Sequence, residues 1–175
     1  MLESDRGALL TELNKGRDAL HDALAGVDEE LAARKPDPAK WSILNCVEHL
    51  CAAEKVLFSR VKGASQSDGS HENREREAKI LERGPVRSRP VEAPGASQPS
   101  GRFNSLQEAL SAFDATRAET VRYVDGFGDD LRCWLTEHPV IPGPMNCYEM
   151  LLMIAIHPVR HANQIREIRA ALEKQ

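Results

Sequence analysis

The chain has 175 residues, 41% of them hydrophobic and 29% charged, which fits one globular domain (residues 1–175) with a sizeable core. A net charge of −4 gives no basic footprint for nucleic acid. The longest apolar run, Met150 to Ile156, falls far short of the ~20 residues a membrane span needs. The start, MLESDRGALL, lacks a basic region followed by an apolar one, so it is not a signal peptide and the expected location is cytoplasmic. Cys46, Cys51, Cys133 and Cys147 form no CxxC pair and no dense disulfide spacing, and read as small buried apolar residues.

Four segments carry helical periodicity. The first runs from about Leu9 to Leu31, with Leu10, Leu13, Leu20, Leu24, Val27 and Leu31 on one face. Lys35-Pro36-Asp37-Pro38 stops it, because proline cannot continue the hydrogen-bond ladder. The second starts after Trp41 with Ser42 as N-cap. Ile43, Val47, Leu50, Leu57 and Val61 form its stripe, and Cys46, His49 and Ala53 a neighbouring line, so His49 borders the core face.

A long connection follows, roughly Lys62 to Asn104 (residues 62–104). Its charged stretch Glu72 to Arg83 reads as a short exposed helix, and the Pro-, Gly- and Ser-rich run GPVRSRPVEAPGASQPSG comes after it. The third helix opens on Ser105-Leu106-Gln107-Glu108, a capping box. Leu106, Leu110, Phe113, Val121 and Val124 give its buried stripe, and Gly126 and Gly128 mark its end. The fourth opens on Asn146-Cys147-Tyr148-Glu149, a weaker cap of the same spacing. Its seam is Met150, Ile154, His157, His161, Ile165, Ile168 and Leu172, with the two histidines in the middle of an aliphatic row. No internal repeat and no strand pattern is visible. The expected fold is all-α: an antiparallel four-helix bundle with a long crossover between helices two and three.

His157 and His161 stand four apart, so on a helix both rings leave the same face one turn apart and can meet one metal ion. A buried polar ring without a partner costs about 1–3 kcal/mol, so something must satisfy them. His49 could supply a third nitrogen, although a lone histidine beside a core stripe is more often a satisfied core residue. Imidazole suits zinc, nickel, copper or iron, and three protein ligands leave a position open for water or substrate. Glu48 and Gln164 are candidates to support the ligands, and Trp41 to line a pocket. His21, His71 and His138 read as exposed, with His138 placed to line a pocket mouth. Pro158 directly follows His157 and removes a helical hydrogen bond. Either the fourth helix kinks there, or two helices meet near His157.

Taken together, Trp41-Ser42, then His49-Leu50, then HPVRHANQIREI resemble the DinB-like (DinB/YfiT-like) superfamily. The lead-ins APGASQP and HPVIPGPMNCYE fit as well, and the resemblance runs from the first helix to Ile168. It implies a four-helix bundle with a divalent metal, commonly zinc or nickel, held by His49, His157 and His161. It also implies a homodimer in many members. Relatives include S-transferases or isomerases that use a low-molecular-weight thiol, and metal-dependent hydrolases. The leading expectation is therefore a metal-dependent enzyme transferring a low-molecular-weight thiol to a small-molecule electrophile. The alternatives are a metal-dependent hydrolase, a non-catalytic bundle that binds a metal or small molecule, and a purely structural bundle.

Overall fold

A computed structural model of the protein describes residues 3–87 and 93–174. In chain order the elements are α1 (Glu3–Leu24), α2 (Glu29–Ala33), α3 (Ile43–Lys62), β1 (Ser65–Gln66), α4 (Arg74–Arg83), α5 (Leu106–Gly126), β2 (Trp134–Glu137), β3 (Pro144–Asn146) and α6 (Cys147–Leu172). Single 3₁₀ turns cover Gly95–Ser97 and Leu131–Cys133. The described residues are mostly helical, as the periodicity predicts. No described helix is long and apolar enough to cross a membrane.

Several expectations need correcting. The first predicted helix is two helices: α1 stops at Leu24, and Gly26 takes φ +74°, a left-handed turn open to glycine. Asp28 then caps α2 by accepting from the Leu31 N–H. Val27 and Leu31 kept the helical rhythm because both still pack on the same core.

The predicted box at Ser105 is half present. Ser105 Oγ accepts from the Glu108 N–H, but the Glu108 carboxylate accepts from Asn104. Glu29, from α2, accepts from the free amides of Leu106 and Gln107 instead. Ser42–Asn45 and Asn146–Glu149 do form complete boxes on α3 and α6.

Strands exist although no strand pattern is visible in the sequence. β1, β2 and β3 form an antiparallel sheet, with Leu135 facing Ser65 on one side and Asn146 on the other. Segments of two to four residues are too short to show a period. Nor is the helix at Glu72–Arg83 simply exposed. Within α4, Glu77 is buried and takes the fork of buried Arg132 at 2.7 and 3.0 Å, which ties the helix down. Residues 88–92 of the long connection lie outside the described part.

The four long helices pack as neighbours: α1 against α5 and α6, α3 against the same two. Their apolar faces form two blocks. One gathers Leu20, Cys46, Val47, Leu50, Phe113, Ile165 and Ile168. The other gathers Leu9, Leu13, Leu57, Phe58, Val124, Met150 and Leu151. Between them α3 supplies Glu54, α5 supplies Thr116, Arg117 and Thr120, and α6 supplies His161, all buried. Gly16 sits at the same level on α1, where an added Cβ would lie 2.0 Å from the Ala155 carbonyl oxygen. A polar layer therefore divides the core, and the histidines lie at its level. The thiols of Cys46, Cys51 and Cys147 are free and buried, as expected, whereas free Cys133 is only half-buried.

Candidate metal centre

α6 is one continuous helix from Cys147 to Leu172 with Pro158 inside it, so the two-helix alternative falls. The helix carries His157 and His161 on one face, and α3 brings His49 to meet them. The three Nε2 atoms converge: His157 Nε2 lies 3.0 Å from that of His161 and 3.3 Å from that of His49. One nitrogen from each residue lies within 4.8 Å of the others. Nitrogens bound tetrahedrally at about 2.0–2.1 Å from one ion would sit about 3.3–3.4 Å apart, so the spacing fits.

Proton accounting sharpens this. His49 Nδ1 lies 2.8 Å from the Ser97 carbonyl and must donate there, so in the neutral ring its Nε2 is a bare lone pair. A single proton can satisfy only one of the two Nε2 contacts of His157. The other contact is then left with an off-line share of that proton, or with two lone pairs or two N–H groups facing each other. His161 Nδ1 is buried with no partner among the described residues. A cation at the meeting point would engage all three Nε2 lone pairs at once.

The rings are held neutral. Burial, then His49 and the Arg160 guanidinium, push His157 down to about 3. Burial, then His157 and His49, take His161 well below the usual imidazole value. Burial lowers His49 against the opposing pull of its bond to Ser97. Neutral imidazole is the form that binds metal.

Trp41 closes one side. Its ring centroid lies 5.0 Å from that of His49 and 6.2 Å from that of His161, nearly parallel to the latter at 17°. Trp41 thus stands against the rings of His49 and His161. Glu48 is placed differently. Its carboxylate accepts from the backbone N–H groups of Ser100, Gly101 and Arg102 at 2.7, 3.2 and 3.1 Å, and from the Arg102 guanidinium at 3.0 Å. Burial works to raise this carboxyl, but the three amides and Arg102 outweigh it and hold it below the usual range. Glu48 thus pins the loop whose Ser97 carbonyl orients His49; no hydrogen bond to a histidine is found for it. Gln164 accepts from Arg87 at 2.8 Å, and Arg87 also pairs with Glu167.

The remaining histidines stay outside the cluster. His21 is exposed and pairs with Asp114 at 2.9 Å, and His71 is exposed. His138 is half-buried rather than exposed, because its Nδ1 accepts from the Val140 and Ile141 amides and folds the link into a turn. Ser97 is the contributor that the sequence reading missed. It acts through its carbonyl, which no side-chain pattern reveals. A groove of about 590 Å³ lined by Lys55, Ser59, Arg60 and Thr136 includes none of the three histidines.

No curated protein and no solved structure matches the chain. The sequence profile of the DinB superfamily matches residues 12–165, a span that holds α3, α5, most of α6 and all three converging histidines. The chain belongs to the DinB superfamily.

Proposed function

We propose that this is a four-helix bundle, with the crossover running from α3 to α5, that binds one divalent ion, zinc or nickel, through His49, His157 and His161. We further propose that it transfers a low-molecular-weight thiol to a small electrophile. The observation that carries the reading is the meeting of three neutral imidazole Nε2 atoms, from buried His49 and His161 and half-buried His157, at a spacing that suits one ion. A divalent ion held there supplies Lewis-acid chemistry, lowering the pKa of a thiol or water on its open side.

The chain's own part is positional. Ser97 fixes the His49 tautomer, Glu48 holds the loop that carries Ser97, and Trp41 covers two of the rings. Glu48 is saturated by amides and a guanidinium, so it is not free to act as a general base. That favours a nucleophile needing little help. A free thiol, with pKa about 8.5, needs far less than water, at about 15.7. The same saturation supports a second reading, a bundle that binds metal or a small molecule without catalysis.

Metal-loaded and metal-stripped protein, each given an aryl halide electrophile and a panel of small thiols, separate these readings. Thiol-dependent consumption confined to the loaded form is expected. Equal rates in both forms would remove the ion from the reaction. A loaded protein inert toward every thiol, but active on an activated ester, would favour hydrolysis.

A further inference from the structure

Arg117 is 1% exposed, yet every polar contact it makes is placed. Its Nε and Nη2 donate to the two oxygens of Glu54 at 2.9 and 2.8 Å. Its Nη1 donates to the Leu13 carbonyl at 2.5 Å, and its Nη2 also donates to the Ile154 carbonyl at 3.1 Å. The last acceptor is special. In a helix, the Ile154 carbonyl belongs to the N–H of residue 158, and residue 158 is a proline with none to give. Pro158 therefore leaves a buried acceptor open, and Arg117 fills it from α5.

The position of this contact matters as much as its chemistry. Ile154 stands three residues before His157 on α6, and Glu54 stands five residues after His49 on α3. The chain Glu54–Arg117–Ile154 thus bridges the two helices that carry the converging histidines. Thr120 Oγ1 donates to Glu54 at 2.9 Å and completes the carboxylate.

We propose that Arg117 is a positioning residue for the histidine centre: it anchors the carbonyl that Pro158 frees and so sets α6 against α3 at the height where the three rings meet. The metal arm of the test rests on the metal reading above; the hydrogen-bond arm does not.

Four proteins test it: wild type, R117K, P158A and the double variant. Lysine keeps a cation for Glu54 but lacks the fork that also reaches Ile154. P158A returns the missing N–H. The readouts are the Co(II) dissociation constant, the Co(II) absorption band and the urea midpoint of the metal-free protein. R117K is expected to weaken Co(II) binding by about tenfold or more, as loss of an outer partner does, and to shift the band. P158A should stay near wild type, and the double variant should recover to within about threefold of it, because the helix then satisfies its own carbonyl. Wild-type affinity in R117K, or equal weakness in R117K and the double variant, would overturn the proposal. Should R117K fail to fold, folding restored by P158A supports the anchor, and failure of both variants overturns it. Absence of Co(II) binding by the wild type would sink the metal reading instead. The urea midpoints then decide: loss in R117K that P158A repairs supports the anchor, and equal loss in both backgrounds overturns it.

Discussion

The Arg117–Glu54 cluster and the three-histidine cluster are neighbours along α3 and α6, but only the first brings its own counter-charge. In the former, a buried cation meets a buried anion in a two-bonded fork at 2.8 and 2.9 Å, and carbonyls and a hydroxyl take the remaining positions. In the latter, three neutral rings aim their Nε2 atoms at one point, and one ring nitrogen is left without a described partner. A complete network stabilises one geometry. An incomplete one built from metal-binding atoms is what the proposed ion would complete.

Breaking the complete cluster should have the largest effect. Glu54→Ala leaves Arg117 as an uncompensated buried charge and is expected to cost about 3–5 kcal/mol in urea unfolding. A cost under about 1 kcal/mol would mean the pair is not the balanced network described. Gly16→Ala presses on α6 and on Arg117, since the new Cβ would sit 2.0 Å from the Ala155 backbone oxygen and 3.4 Å from Arg117 Nη1. Overpacking of this kind costs about 1–3 kcal/mol, and metal affinity should fall with it. Wild-type stability and affinity in that variant would show that α1 and α6 can part freely.

The apolar blocks to either side respond to pH. Burial pushes the Cys46 and Cys147 thiols up to about 12 from an ordinary value of 9.0. Both folded values are raised, so their contribution is intact below pH 9 and is lost as pH climbs toward 12. The expected slope above pH 9 is of the order of 1 kcal/mol per thiol per unit. A flat stability profile from pH 9 to 11 would contradict the burial. The smallest change is Ser105→Ala, whose hydroxyl bonds to neither cluster. It removes one cap bond from α5, while Glu29 still holds the amides of Leu106 and Gln107. Thermal unfolding should register about 0.5–1 kcal/mol and Co(II) affinity should not move.

Much of this contrast is legible in the sequence. The seam Ile154–His157–His161–Ile165 announced two inward rings. Positions 117 and 54 lie on seams as well, between Phe113 and Val121 and between Leu50 and Leu57, so a buried ion pair was there to be noticed. Pro158 announces that a helical carbonyl is freed, but not that Arg117 from α5 is the donor that fills it. Ser97 was hidden for the same reason. Glu48 drew notice through its place beside His49, yet its side chain turns to the amides of residues 100–102. The break at Gly26 was masked by Val27 and Leu31, which keep the spacing of a helix while belonging to a turn and a new one. The strands were too short to alternate.

The most direct measurement is metal binding itself, made on stripped protein titrated with Zn(II) or Ni(II) and on His161→Ala beside it. The account predicts one ion per wild-type chain, and no stoichiometric binding once the His161 ring is gone, while His21→Ala binds as the wild type does. Less than ~0.2 ion per wild-type chain after loading, or full binding by His161→Ala, would contradict it.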